Sequence, residues 1–223
     1  MSPRANIWYT GGYMKSLSPA NPRVLFVVGI PGAGKTYFAE QFAETFGAPF
    51  IEYDAIRAQL TQHPSYSREE DATVARLARH QLGELLKTNH PIIFEGGCES
   101  RTDRTALIRF VQEFGYQPML IWIQTEPATA MRRAVLGVRG HSNRLIPEER
   151  FNSLVRRFTP PSNAERPVVL SGKHTYTSQS RAILRHLAQA GHDHLFTSSD
   201  PSIVRPAVHI PRRNIGGSSI SIQ

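Results

Sequence analysis

Apolar positions along the chain fall into two alternating patterns. Short continuous runs rich in β-branched residues recur at Arg23–Val28 (RVLFVV), Pro49–Tyr53 (PFIEY), Pro91–Glu95 (PIIFE), Pro118–Gln124 (PMLIWIQ) and Pro167–Leu170 (PVVL). Runs of this kind predict strands buried on both faces, as in a parallel sheet. Between them the period changes to that of a helix. Phe38, Phe42 and Phe46, with Ala39 and Ala43, line one face of a helix that Gly47 can stop. Val74, Ala78, Leu82 and Leu85 do the same for a helix over 69–88, and Leu107, Phe110, Val111 and Phe114 for the one that follows. Asp54 stands where it can cap a short helix reaching about Leu60. Further helices are expected from Pro127 to Leu136, from about Pro147 through Phe158, and from Ser178 to Ala190. Buried strands alternating with helices predict an α/β fold, a five-stranded parallel sheet with helices on both faces. The core is expected over 23–195. Residues 1–22 read as an extension and 196–223 as a tail of Pro, Ser, Gly and Arg.

The longest apolar runs are five to seven residues, against about 20 for a membrane span. Neither a span nor a secretory signal is expected. A single cysteine, Cys98, among 223 residues offers no internal disulfide, which suits a reducing, cytoplasmic setting. Formal charge is +8, and 22 of the 26 basic residues are arginine. Much of the excess is local: residues 130–158 hold seven arginines (132, 133, 139, 144, 150, 156 and 157) against Glu148 and Glu149.

The first buried run leads into Gly29-Ile30-Pro31-Gly32-Ala33-Gly34-Lys35-Thr36 and then into a helix. Every fixed position of G-x-x-x-x-G-K-[ST] is met, in the strand–loop–helix setting the motif requires. Its glycines let backbone N–H groups close around phosphates, and the helix directs its positive end at them. Lys35 can reach terminal phosphates, and the Thr36 hydroxyl can ligate Mg²⁺. Asp54 and Arg57 follow the second strand, at the sheet edge that faces the phosphate loop. A carboxylate there can take the proton of an attacking alcohol, and an arginine one turn later can hold a phosphoryl group. Glu95 ends the third strand, a position from which an acid can support Mg²⁺. The arginines of 130–158 fit a lid over the nucleotide, with 137–146 as its moving part, Gly137 and Gly140 as hinges and Arg139 and Arg144 as its cations. Ser171-Gly172-Lys173, after the fifth strand, is either a base contact or a plain loop. His192-Asp193-His194 reads as a surface turn. No N-K-x-D guanine motif is present, LSGK at Leu170–Lys173 is not the transporter LSGGQ, and the chain is short for a motor ATPase.

With the phosphate loop, Asp54 and Arg57, Glu95 and the arginine-rich segment in this order, residues 23–190 resemble small P-loop kinases. The polynucleotide-kinase-like group, near zeta toxins and chloramphenicol phosphotransferases, is the most similar. That resemblance implies a P-loop NTPase sheet of order 2-3-1-4-5 and an ATP and Mg²⁺ requirement. It implies nucleotide contacts from Gly29, Pro31, Gly32, Ala33, Gly34, Lys35, Thr36 and Arg132, and metal support from Thr36 and Glu95. It further implies catalytic roles for Lys35, Asp54 as general base, Arg57 on the substrate, and a lid arginine such as Arg139. Glu95 departs from the aspartate usual in that group. The acceptor is left open among a nucleic-acid 5′ end, a nucleoside, a sugar nucleotide and a small alcohol. An ATP-binding regulator or adaptor without phosphoryl transfer is the other reading.

Overall fold

The computed structural model of the protein describes residues 22–137 and 145–197. The strands are β1 (Arg23–Val28), β2 (Phe50–Glu52), β3 (Ile92–Glu95), β4 (Gln117–Gln124) and β5 (Val168–Ser171). They form one sheet of order β2-β3-β1-β4-β5, with every pairing parallel. The order expected from the family resemblance is the order observed. The helices are α1 (Lys35–Phe46), α2 (Tyr53–Leu60), α3 (Arg68–Leu86), α4 (Arg101–Glu113), α5 (Pro127–Met131), α6 (Glu148–Arg157) and α7 (Tyr176–Thr197). One compact unit ends at His186. The second runs from Leu187, and its described part is the C-terminal portion of α7.

Strand β1 explains the layering. All of its residues after Arg23 are buried, and successive side chains point to opposite faces. Val24, Phe26 and Val28 join a cluster with Val74, Ala78 and Leu82 of α3 and Leu107 and Val111 of α4. Leu25 and Val27 therefore face the other side, where α1 buries Phe38, Ala39 and Phe42. The Phe38 ring lies 6.3 Å from that of Tyr176, so α7 begins on the same face as α1. Both sheet faces are covered, which is why the strands read as unbroken apolar runs.

Three boundaries differ from expectation. Strand β2 is only three residues long because α2 starts at Tyr53, directly out of the strand. Glu52 is the cap residue, and no side chain caps this helix. Asp54 is thus not a cap: it lies inside the first turn, where an acid favours the helix dipole instead. Helix α3 starts earlier than expected, because the Ser67 hydroxyl accepts the Glu70 N–H at 3.2 Å and fixes the first turn. The helix expected over 127–136 changes pitch at Arg132 and continues as a π-helical turn to Leu136. The expected N-terminal extension and C-terminal tail lie outside the described residues, apart from Pro22, whose carbonyl accepts from Gln117 N, and the end of α7.

A buried cation fixes the loop after β3. Arg104 of α4 is 1% exposed. It donates to both carboxylate oxygens of Glu165 and to the carbonyls of Cys98, Glu99 and Thr159. Desolvation is thereby offset on every side, and the loop leaving Glu95 is tied to the segment entering β5.

Gly83 interrupts α3 without an evident packing need. A Cβ there would meet Phe110 Cζ at 3.6 Å, an ordinary van der Waals contact. Gly83→Ala is expected to stabilise the protein by about 0.4–1 kcal/mol through reduced chain entropy, raising Tm by roughly 1–4 °C. Unchanged or lower Tm by calorimetry would show that this helix surface needs the glycine.

Candidate phosphate-binding and acceptor site

The loop between β1 and α1 is built for close approach. Gly32 has φ +73°, and a Cβ on it would collide with the Ala130 carbonyl. Gly34, at φ +101°, turns the chain into α1. The loop is held from behind. Ala33 N donates to Ile30 O at 3.2 Å, and Thr125 Oγ1 donates to Ala33 O at 2.9 Å. Gly172 packs so closely on the Ala33 carbonyl that only glycine fits there. Its own N–H donates to Gln124 O at 2.7 Å, and its carbonyl accepts from Arg133 Nη1 at 3.0 Å.

The start of α1 contrasts with α3 and α4. Ser67 and Ser100 cap those two helices with their hydroxyls, and acids follow in the first turn. Helix α1 has no side-chain cap and no acid in its first turn. Its leading N–H groups and positive dipole end are consequently left for an external anion.

Glu95 lies beneath this loop. It is 6% exposed, paired in register with Val27 of β1 and Glu52 of β2. Its Oε1 accepts from Thr36 Oγ1 at 3.0 Å and lies 3.7 Å from Lys35 Nζ. Lys35 also donates to the Ile30 carbonyl at 3.3 Å. Glu95 Oε2 is buried with no hydrogen-bond partner among the described residues. Burial pushes the Glu95 carboxyl up to about 7; Lys35 and the Thr36 bond pull it down, and Glu52 and Asp54 push it further up. Asp54 is therefore within electrostatic reach of the phosphate site, and its side chain is 59% exposed.

Arg57 is placed differently from expectation. It is 6% exposed. Its Nη1 is hydrogen-bonded to Glu70 and its Nη2 to Asp71 at 2.7 Å, both on α3. Only Nε turns toward Asp54, at 3.8 Å, too far for a hydrogen bond. Both ends of the guanidinium are thus committed within the protein. Of the two neighbouring arginines, Arg132 is exposed and Arg133 is the one docked on the loop's support. Gly137 ends the π-helical turn. Arg139, Arg144 and the greater part of the expected lid lie outside the described residues. So, for side chains, does His192-Asp193-His194; among the described residues no cluster of three metal-ligating side chains occurs. No described helix is long and apolar enough to cross a membrane.

Thr125 was not visible as a site residue in the sequence, and Arg133 and Gly172 stood out there only within the arginine-rich segment and as a possible base contact, not as supports of the loop. Their partners lie 92 residues away for Thr125 and 39 for Arg133. A glycine directly after a strand was the one available signal.

This geometry, a phosphate loop between β1 and α1 of a parallel sheet of order β2-β3-β1-β4-β5, defines a P-loop domain. Residues 24–161 match the AAA domain family, and the chain belongs to it. The match runs from β1 through α6. Among solved structures, the chain is similar to a gluconokinase from Sinorhizobium meliloti 1021, at 20% identity and TM-score 0.60, covering 79% of this chain and 98% of that one. It is also similar to the Mycobacterium tuberculosis APS kinase CysC, solved in complex with AMPPNP and APS, at 17% identity and TM-score 0.52 over 76% and 98% of the two chains. A third likeness is to a chain of the Pnkp1/Rnl/Hen1 RNA repair complex, at 18% identity and TM-score 0.53 over 61% and 44%. At such identities the likeness establishes a shared fold. No curated protein matches the sequence.

The Glu95 environment has a consequence for stability. Its folded pKa of about 7 lies above the ordinary 4.5. Between those values the folded state holds a proton that the unfolded state has lost, so stability of the ligand-free protein falls as pH rises through that window. Glu95→Gln is expected to remove this slope and to be more stable than wild type at pH 8, by on the order of 2 kcal/mol. Parallel denaturation curves for the two proteins from pH 5 to 8 would contradict a buried, titrating Glu95.

Proposed function

We propose that the protein is an ATP-dependent phosphotransferase that moves the γ-phosphoryl group to a hydroxyl acceptor. The observation that carries this reading is Asp54. An exposed carboxylate follows β2 at the same sheet edge as the open N-terminus of α1, close enough to shift Glu95.

In this reading the backbone from Gly29 to Thr36 holds the phosphates and Lys35 offsets their charge. Asp54 accepts the proton of the acceptor hydroxyl. That oxygen bonds to the γ-phosphorus, the bond to the bridging oxygen breaks, and ADP leaves with the electron pair. Arg57 acts through Asp54 as a positioning residue, because its terminal nitrogens are already bound to Glu70 and Asp71. Arg139 is assigned to charge neutralisation during transfer. Arg132, exposed next to the docked Arg133, is assigned to the nucleotide.

The donor set fits Mg²⁺. Thr36 offers a hydroxyl, and Glu95 offers a buried oxygen with no partner among the described residues, both hard ligands of the kind the ion takes. When bound, the ion would neutralise charge on the β- and γ-phosphates. A cation needs the ionised carboxylate. Mg²⁺-dependent nucleotide affinity is therefore expected to rise by up to about tenfold per pH unit toward pH 7 and to level above it. Titration calorimetry across pH 5.5–8.5 checks this, and a flat profile would remove Glu95 from the metal site.

Transfer itself is tested with two variants and γ-labelled ATP over a panel of alcohols, nucleosides and 5′-hydroxyl oligonucleotides. Lys35→Ala is expected to lose ATP binding in the presence of Mg²⁺. Asp54→Asn is expected to lose about 100-fold or more in transfer while ATP affinity stays within about threefold, because a base acts in the transition state. Wild-type binding of ATP with no transfer to any acceptor would favour the regulator reading.

A further inference from the structure

Helix α3 leaves the active-site end of the molecule with a second chemistry on its outer face. Its first turn carries Glu70 and Asp71, which hold Arg57. Beyond them Arg76, Arg79, His80, Gly83 and Lys87 fall within about 100° of one another around the helix. They form a stripe some 17 Å long at 1.5 Å per residue. Across from the stripe stand Phe110 and Phe114, four residues apart at the end of α4. Together these side chains line an open groove of about 390 Å³.

The groove combines positive charge with an exposed aromatic face. Three permanent cations line it against one acid, Glu84, which is bonded to Lys87 at 2.7 Å. The Arg79 guanidinium carbon lies over the Phe110 ring, 4.1 Å from its centroid. Arg76 donates to the Thr73 hydroxyl at 3.2 Å. Phe114 is 42% exposed. Gly83 is part of the groove lining and contributes no side chain to it. Cations spaced along a track and an aromatic face beside them are what a single strand of nucleic acid requires, phosphates on the first and a base on the second. An acidic peptide would use the cations but has no need of the exposed ring.

We propose that the α3–α4 groove binds the body of a single-stranded nucleic acid, with phosphates along Arg76, Arg79 and Lys87 and a base stacked on Phe114. The strand is the acceptor class for the reaction: its 5′ end runs toward the first turn of α3, about 8 Å along the helix from Arg76 at residue 71, and so toward Asp54. That direction rests on the phosphotransfer reading; occupation of the groove does not.

Fluorescence anisotropy with a 12-nucleotide, 3′-labelled, 5′-hydroxyl single strand tests it on the full chain. Wild type should bind with a log affinity that falls with log salt at a slope of about −2, from three phosphate contacts at roughly 0.7 each. The double variant Arg76→Ala/Arg79→Ala should weaken binding and make that slope shallower by more than about one. Phe114→Ala should weaken binding about fivefold or more and leave the slope unchanged. Retained ATP binding by these variants shows that they fold. Lys35→Ala should bind the strand as wild type does, which separates the groove from the phosphate loop. Strand binding that depends on the groove, with no phosphoryl transfer, would overturn the transfer reading and keep the groove. Absence of strand binding at low salt would overturn the groove, even if small alcohols are phosphorylated. So would binding indifferent to all three substitutions, or displacement by a poly-glutamate peptide with Phe114→Ala silent.

Discussion

The buried contact of Glu95 with Thr36 and Lys35 is the interaction on which the site depends. It can form only because β3 lies between β2 and β1, so that the last residue of β3 comes up directly beneath the start of α1. A carboxylate in that position is costly by itself, as its raised pKa shows. The cost is tolerated where the groups around it also serve an anionic ligand: a lysine, a hydroxyl and the positive end of an uncapped helix. Remove the sheet order and the same residues are scattered along the chain, with no shared environment.

Two kinds of support hold this centre, and they differ in reach. The loop itself is fastened from the β4–β5 side by Thr125, Gly172 and Arg133. On the other side, Arg57 fastens α2 to α3 through Glu70 and Asp71. Tyr66 adds to that side: its ring takes the guanidinium of Arg57 at 4.9 Å and that of Arg150 at 4.6 Å. Arg150 belongs to α6, so the helix that follows the arginine-rich segment is joined to the helices flanking Asp54. A general base, the role proposed for Asp54, would lose its placement on a mobile helix. Here Asp54 is exposed but its helix is anchored.

What could be seen in the sequence divides along the same line. The phosphate loop was legible because its residues are contiguous and its constraints are local. The five strands were legible because two covered faces force unbroken apolar runs. Glu95 was legible as a strand terminus facing the loop, though not its pairing with Thr36. Arg57 was misjudged as free because the acids that bind it lie 13 and 14 residues on, in another helix. Asp54 looked like a cap because a polar residue at a strand–helix junction usually is one; only the start of α2 at Tyr53 shows that the helix had already begun. Nothing local separates Arg132 from Arg133. Both lie in the π-helical turn, where Arg133 donates to Gly172 and Arg132 is exposed.

The placement of charge adds a last step. The chain carries a formal +8, yet the described catalytic edge is close to balanced. Lys35 faces Glu95, and Arg57 and Arg150 share Asp71, with Glu70 and Asp54 beside them. Arg104 is matched by Glu165. Under the proposed transfer reaction the product carries more charge than its alcohol precursor, and such balance eases its release because excess fixed cations would hold it. Among the described residues, Arg76 and Arg79 on α3 border two phenylalanines rather than acids, and Arg132 beside the loop is exposed. Excess charge outside the chemical centre raises the encounter rate of a polyanion without tightening the grip on the group that is transferred.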